Sequence, residues 1–444
     1  MIALRHRIRG MVALLLVATL SLLGSVIARA DHGEASPASA PAVEDPTETG
    51  SAHSTDVEGV LEELSLDRLP ILRWRPVARV RDAWHRTNDW LDDRAGVRLG
   101  IVFTTVLQHA PTVGDPNDSF VGTLDLLGRW SLIDHERWGR GALNAQLRTR
   151  DNWGAATGND LSTSIGLPWS VYSAGSGDFT RLNQIYWEHH LLDDALSITL
   201  GRIDQKNFFD RNRVAGGSST HFLGSPLVNN QTISAPSNGG GVNVEYRALD
   251  WLRLSIGFGD AAGDPNARPT TALSDLFEDG LFTAAEITVG SDLGHLAAPL
   301  GVGAFRLMGW HTDDTGDPAV GTGAAPNREG GGVAIGADQE IGRHWVAFMR
   351  AGHSPDAGLR SETEVSLGVG APTPFGRVSD FAGIGWTWAD VLGAGDDQYA
   401  VEAFYRVEVI EGVAVSPDVQ FLFDPVLSDS DFAIVLGLRA RVVF

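Results

Sequence analysis

The 444-residue sequence lacks cysteine altogether, and of its 34 basic residues only Lys206 is a lysine. The absence of cysteine excludes disulfide scaffolds, cysteine-ligated zinc or iron–sulfur sites and thiol chemistry. Beyond the first 30 residues, no stretch approaches the ~18 consecutive apolar residues of a membrane-spanning helix. Positive charge is also scarce, because the formal net charge is −22. Nucleic acid is therefore excluded as a partner, since phosphate binding needs a surplus of basic residues.

The first 55 residues have the composition of an export signal followed by a linker. Several arginines precede the apolar stretch Met11–Ile27, and Ala28-Arg29-Ala30 forms a small-x-small cleavage site. Residues 1–30 are therefore predicted to be a secretory signal peptide. Residues 31–55 are rich in proline, alanine, serine and acidic residues, which predicts a disordered linker.

Two short amphipathic helices are predicted next, over Asp56–Leu66 and Ala78–Arg94, separated by breaks at Pro70 and Pro76. Residues 56–96 would then form a periplasmic helical segment that packs as a cap on the main body. A helix that binds a partner or the cell wall is the alternative.

From Val97 onward, apolar and polar residues alternate with the period of two that is typical of β-strands. In Ala142–Arg150, for example, Leu143 and Leu147 alternate with Asn144 and Arg148. The segments 195–204 and 378–389 are the least clear, because neither separates into a polar and an apolar face. Sixteen strands are predicted, near 97–106, 119–132, 141–151, 180–192, 195–204, 240–248, 250–259, 281–291, 300–311, 330–341, 344–353, 362–371, 378–389, 396–407, 412–424 and 431–444.

The faces of these strands and the lengths of their connections predict the fold class. One face carries charges on most strands and the other is apolar, while tight turns alternate with long loops, of which Asp151–Phe179 and Gln205–Gly239 are prominent. Short turns on one rim and long loops on the other are typical of outer-membrane barrels. A soluble β-sandwich also alternates, but closure leaves no unpaired strand edge in hydrocarbon. We therefore predict an all-β fold, a 16-stranded antiparallel transmembrane β-barrel over 97–444 that encloses an aqueous channel.

Three stretches of this sequence resemble the carbohydrate-selective outer-membrane porins of the OprB family. Asp82–Val106 resembles the family's beginning, in which a helix with a Trp-Leu pair leads through a glycine into the first strand. Gly201-Arg202-Ile203-Asp204 followed by Phe208-Phe209-Asp210 resembles its motif after the fifth strand. The carboxyl-terminal block Glu402–Pro425 resembles its "E-x-F-Y-R … x-P-D-x-Q … x-P" ending. The resemblance covers roughly residues 82–444 and implies a sugar channel in a Gram-negative outer membrane.

Candidate channel-lining residues are charged side chains on the polar face and in the long loop after the fifth strand. Arg148 and Arg150 point to the same side of one strand about 7 Å apart, and an arginine fork can donate paired hydrogen bonds to sugar hydroxyls. Generic channel charge that is satisfied by its neighbours is an equally good interpretation. The proposed filter comprises Asp125, Arg129, Arg148, Arg150, Glu188, Arg202, Asp204, Arg306 and Arg406, and the proposed constriction loop contributes Lys206, Phe208, Phe209 and Asp210.

No catalytic, metal or cofactor site is indicated. The sequence contains no G-x-S-x-G, P-loop or H-E-x-x-H motif, and same-face carboxylate pairs such as Asp338 and Glu340 recur on so many strands that they do not discriminate. The implied partners are small neutral sugars, outer-membrane lipid and lipopolysaccharide, with a homo-oligomer left open. A general or ion-selective porin, a plugged adhesive barrel and a secreted lectin-like protein remain alternatives.

Overall fold

The computed structural model describes residues 56–66, 68–236, 238–263, 280–292, 300–314, 329–355, 361–391 and 397–444. The predicted signal peptide and linker lie outside these residues. In the described part of the chain, no helix combines the length and hydropathy needed to cross a membrane.

Sixteen antiparallel strands form a closed barrel in which each strand pairs with its neighbours in sequence and β1 pairs with β16. This confirms the predicted fold class and strand number. The two segments without a clear polar face are strands as well, β5 and β13. The strands are β1 (Val97–His109), β2 (Asp118–His135), β3 (Gly139–Asn152), β4 (Phe179–Leu191), β5 (Leu196–Ile203), β6 (Gly239–Leu249), β7 (Leu252–Asp260), β8 (Leu281–Asp292), β9 (Leu300–Thr312), β10 (Gly330–Ile341), β11 (Trp345–His353), β12 (Ser361–Ala371), β13 (Phe381–Val391), β14 (Asp397–Ile410), β15 (Val413–Phe423) and β16 (Phe432–Val443).

Alternation along the strands separates an apolar outer face from a polar interior. At the closure of the barrel, Leu107 pairs with Leu438 and both are about half exposed, whereas the neighbouring pair, Val106 and Arg439, is buried. On β2, Leu126 and Trp130 are exposed while Asp125 and Arg129 are buried. Because paired residues in a sheet share a face, this pattern assigns the leucine and tryptophan side to lipid and the charged side to the interior, here called the bore.

The two ends of the barrel differ. Tight connections such as those around Gly342 and Gly412 lie at the end where β1 begins and β16 finishes. We call this end the short-turn rim and the opposite end the long-loop rim. Two connections at the long-loop rim are extensive: the β3–β4 loop (153–178), which contains helix α3 (Gly158–Ile165), and the β5–β6 loop (204–238), which contains a 3₁₀ turn (Gln205–Asn207) and the short helix α4 (Ser225–Val228).

The amino-terminal segment contains the two predicted helices, α1 (Val57–Ser65) and α2 (Arg75–Ala95). Asp56 caps α1 by accepting a hydrogen bond from the backbone N–H of Gly59. The second helix begins earlier than predicted because Pro76 occupies its first turn. The missing N–H of a proline costs nothing at that position, so treating Pro76 as a break was wrong.

Helix α1 packs against the inner wall of the barrel. Its residues Leu61 and Leu64 are buried against β1 beside Gly100. At its end, Glu63 accepts hydrogen bonds from both terminal nitrogens of Arg441, at 2.6 and 2.8 Å, and another from Arg68 at 2.8 Å. Burial alone would raise the pKa of Glu63, but the two arginines outweigh it and hold the pKa below its usual range. The helix therefore occupies part of the bore near the short-turn rim.

The absence of a side chain at position 100 lets α1 lie close to the wall. A Cβ atom at Gly100 would lie 2.7 Å from Leu64 Cδ1 and 2.8 Å from Leu61 Cδ2. We expect Gly100→Val to push α1 off the wall and to accelerate tryptic cleavage after Arg68 roughly tenfold, because overpacking costs ~1–3 kcal/mol. Gly309→Val is the matched control, since nothing lies within 4 Å of a Cβ there. Equal cleavage rates in the two variants would contradict the packing.

Candidate functional site

The β5–β6 loop crosses the bore and is attached to the far wall by ion pairs. Arg213 donates hydrogen bonds to Asp338 at 2.6 Å, to Glu340 at 2.9 Å and to the carbonyl of Val302 at 2.9 Å. Further along the loop, the backbone N–H groups of Leu223 and Gly224 both donate to the carboxylate of Glu402. These contacts reach strands β9, β10 and β14, so the loop spans the barrel rather than leaving it.

Apolar packing reinforces this attachment. Phe222 is fully buried, with its ring centroid 4.9 Å from Phe404 and 5.9 Å from Phe348. A Cβ at Gly385 on the adjacent wall would lie 2.8 Å from the methyl groups of Leu227, so any larger residue there would require Leu227 to move, whereas glycine allows close approach of the loop. The loop therefore forms an apolar core inside the bore.

The β3–β4 loop enters the bore beside it. The carbonyl of Val171 accepts hydrogen bonds from the side chains of Gln108 at 3.0 Å and Gln420 at 2.8 Å, which lie on β1 and β15. The two loops also bond to each other, because the N–H of Ser173 donates to the carbonyl of Leu223 at 2.8 Å. Together they narrow the open cross-section of the bore, because their contacts reach β9, β10, β14, β15 and β1.

A cavity of about 570 Å³ remains between these loops and the wall formed by β1 to β4, β8, β9 and β11. Its lining is largely polar and contains four aromatic rings, those of Tyr172, Phe179, Phe209 and Phe282, together with asparagine side chains from the β5–β6 loop. Among the described residues, its charged lining comprises six cations and four carboxylates, so it is locally more basic than the chain as a whole. These residues are Arg148, Arg150, Arg181, Lys206, Arg211, Arg350, Asp125, Asp178, Asp204 and Asp210.

Arginines on β3 and β4 form the most concentrated group in this lining. Arg148 donates to Asp125 through Nε at 2.6 Å and Nη2 at 3.1 Å, which gives a forked ion pair. Arg148 and Arg181 pair across the strands, and the guanidinium carbons of Arg181 and Arg150 lie 3.9 and 4.9 Å from the ring centroid of Phe179. Cation–π contact holds both guanidinium groups in fixed positions at the cavity wall.

Seven of the thirteen predicted site residues line the cavity. The three on β2 and β3 occupy inward positions of their strands. The other four lie at the start of the β5–β6 loop. Asp210 is held by Arg350, whose Nε lies 3.1 Å from its carboxylate. The seven are Asp125, Arg148, Arg150, Asp204, Lys206, Phe209 and Asp210.

The other six, Arg129, Glu188, Arg202, Arg306, Arg406 and Phe208, do not belong to the described lining of the cavity. Two of them are engaged by α1, because Arg129 contacts Glu188 at 2.8 Å and Glu58 of the helix at 3.0 Å. Arg306 pairs with Asp338 at 2.7 Å, next to the guanidinium of Arg213. In each case the inward side chain takes part in a group of ion pairs that includes a helix or loop filling part of the bore.

The remaining three residues do not line the cavity, each for a different reason. Phe208 is buried in an apolar cluster with Tyr186 and Ile203. Arg202 is buried, and its register partner on β4 is Ile185, which is not one of the inward polar positions of that strand. Arg406 lies over the ring of Phe381 at 6.0 Å.

Several lining residues were not proposed from the sequence. Arg350 occupies one of the alternate positions of β11 that are buried, so the period-two pattern could have identified it. Arg181 precedes the irregular register of β3 and β4 near Gln146. The asparagines of the β5–β6 loop, such as Asn229 and Asn230, gave no periodic signal because they lie in a loop.

One group of side chains has the composition of a metal site. Ligand atoms of Glu58, Glu188 and His190 lie within 4.8 Å of one another. The guanidinium of Arg129 contacts both carboxylates, and His190 Nε2 lies 3.3 Å from Glu188. A cation therefore already bridges the carboxylates, and the group joins α1 to the barrel wall.

Comparison with known proteins agrees with this architecture. Residues 131–444 match the family model of the carbohydrate-selective porins, OprB family. The structure of Pseudomonas putida OprB at high pH is similar, with a TM-score of 0.64, 17% identity, and coverage of 81% of this chain and 97% of that one. The low-pH structure gives a TM-score of 0.53, 14% identity, and coverage of 81% and 96%. No curated protein sequence matches the chain.

Proposed function

We propose, from the premise that the chain belongs to the carbohydrate-selective porin family, that this outer-membrane porin passes monosaccharides and that the loop-bounded cavity is its selective constriction. The observation that carries the proposal is the insertion of both loops across the bore, which leaves about 570 Å³ beside an arginine-rich wall. Cavities of roughly 300–1,000 Å³ accommodate one small ligand. Transport would follow the concentration gradient and involve no catalytic step.

The lining has the chemistry that a neutral sugar requires. Arg148 and Arg150 supply donors for vicinal hydroxyls, Asp204 and Asp210 supply acceptors, and Phe209 supplies a ring for the apolar face of the sugar. Because Asp125 and Arg148 are already paired, a sugar would exchange hydrogen bonds with a fixed polar wall and with water. Such exchange gives weak, reversible binding, which a channel needs for passage.

The short-turn rim is expected to face the periplasm and the long-loop rim the exterior, as in other outer-membrane barrels. Entering solutes would then meet the two inserted loops first and reach α1 after the constriction.

Single-channel recording separates this proposal from a plugged adhesive barrel, which the filled bore also suggests. In planar bilayers we expect stepwise conductance that falls when glucose is added, because a bound sugar displaces ions from the constriction. Absence of any conductance from folded, heat-modifiable protein would contradict a channel. Conductance that glucose and a charged amino acid reduce equally would instead favour a general porin.

A further inference from the structure

The chain around α2 exposes an unusual amount of apolar surface. Seven large side chains are each 53–57% exposed: Leu66, Leu69, Ile71, Leu72, Trp74, Val80 and Trp90. Large exposed apolar residues concentrated within 25 residues of the chain mark an interaction surface rather than an ordinary water-exposed face. We call residues 66–95 the amino-terminal apolar segment.

The part of this segment between positions 73 and 86 is basic, whereas Asp89, Asp92 and Asp93 follow towards the end of α2. Arg73, Arg75, Arg79 and Arg86 are exposed, and Asp82 is the only acidic residue between positions 73 and 86. The chain as a whole carries a formal charge of −22, so this local excess of arginine is distinctive. Exposed apolar residues and arginines lie both on α2 and on the chain that leads into it, and this combination is typical of segments that lie in the membrane interface beside anionic lipid.

The position of α2 makes it continuous with the lipid-facing surface. Asn88 makes two hydrogen bonds of 2.9 Å with the backbone of Leu99, and the indole N–H of Trp130 donates to the carbonyl of Ala95 at 3.0 Å. Leu99 and Trp130 belong to the exposed outer face of β1 and β2. Tryptophan is typical of the level at which headgroups meet hydrocarbon. The helix is therefore attached to the barrel at the edge of its lipid belt.

We propose that the amino-terminal apolar segment lies in the interfacial layer of the leaflet at the short-turn rim and binds acidic phospholipid through Arg73, Arg75 and Arg79. The exposed apolar side chains enter the headgroup–acyl boundary while these arginines pair with lipid phosphates. The segment then anchors the end of the chain that positions α1 in the bore. This role does not depend on which solute the channel passes.

The absence of cysteine allows a direct test. Single-cysteine variants Val80→Cys, Asp82→Cys and Leu126→Cys, each labelled with an environment-sensitive fluorophore, are reconstituted into phosphatidylcholine vesicles with or without phosphatidylglycerol. Leu126 lies on the lipid-facing side of β2 and serves as the immersed reference, and Asp82 serves as the matched site on the same helix. Brominated lipids then report contact between each label and the acyl chains.

We expect the label at Val80 to be quenched at least about half as strongly as that at Leu126, and the label at Asp82 to be quenched far less. Arg73→Gln/Arg75→Gln/Arg79→Gln should reduce quenching at Val80 in phosphatidylglycerol vesicles. Equal, water-like emission at Val80 and Asp82 would overturn the proposal. A Val80 label that brominated lipid does not quench, but whose emission changes when purified peptidoglycan is added, would also overturn the proposal and assign the surface to the cell wall. Quenching unaffected by the arginine substitutions would overturn the acidic-lipid assignment.

Discussion

Replacing residues 208–235 by a short Gly-Ser linker is expected to raise single-channel conductance about threefold or more and to abolish discrimination between mono- and disaccharides. The physical reason is geometric, since ion flow and solute access depend on the narrowest cross-section. In the folded protein this segment crosses the bore and is held by Arg213 on Asp338 and by Glu402 on the N–H groups of Leu223 and Gly224. Without it, the barrel wall itself would set the width of the channel.

Two further variants make this result interpretable. Arg213→Gln removes the charge that joins the loop to Asp338 and Glu340, and it should give an intermediate conductance with larger current fluctuations. Leu126→Ala, on the outward face of β2, should leave conductance unchanged. The loop is not the constriction if the deletion variant folds, shows the heat-dependent change in electrophoretic mobility of a folded barrel, and conducts like the parent.

The double substitution Arg148→Ala/Arg150→Ala is expected to weaken glucose-dependent reduction of conductance by at least about tenfold. Hydrogen bonds to charged groups contribute ~1.5–3 kcal/mol each, and about 1.4 kcal/mol corresponds to a factor of ten. Both side chains line the cavity, and the change also leaves Asp125 without its forked partner. Titrating glucose against single-channel current measures the effect.

Matched substitutions distinguish geometry from charge. Arg148→Lys keeps the charge but loses the planar fork, so glucose binding should weaken while ion selectivity is retained. Arg343→Ala changes an exposed arginine in the tight turn after β10 and should have no effect on glucose. An unchanged glucose titration in the double variant would show that sugar is recognised elsewhere in the bore.

Alternation in the sequence carries most of the information about the barrel and part of the information about the site. It assigns Asp125, Arg148 and Arg150 to the interior because side chains on a strand change face at every residue. The same rule could have included Arg350. These assignments depend only on local strand geometry, so they can be made without knowledge of the tertiary structure.

Which inward residues remain open to the cavity depends instead on distant parts of the chain. Arg129 is as strictly inward as Asp125, yet Glu58 of α1 covers it. Arg306 shares Asp338 with Arg213, which arrives from a loop some 90 residues earlier. Such contacts have no period and no fixed spacing, so the sequence predicts the polar side of the wall better than the shape of the channel.

Liposome swelling is the most direct test of the claim that two inserted loops leave a constriction matched to monosaccharides. Proteoliposomes containing the folded barrel are diluted into isosmotic glucose, a disaccharide or a charged amino acid, and the initial swelling rates are compared. We predict that glucose enters at least about threefold faster than either of the others. Equal rates for all three solutes would contradict sugar selectivity.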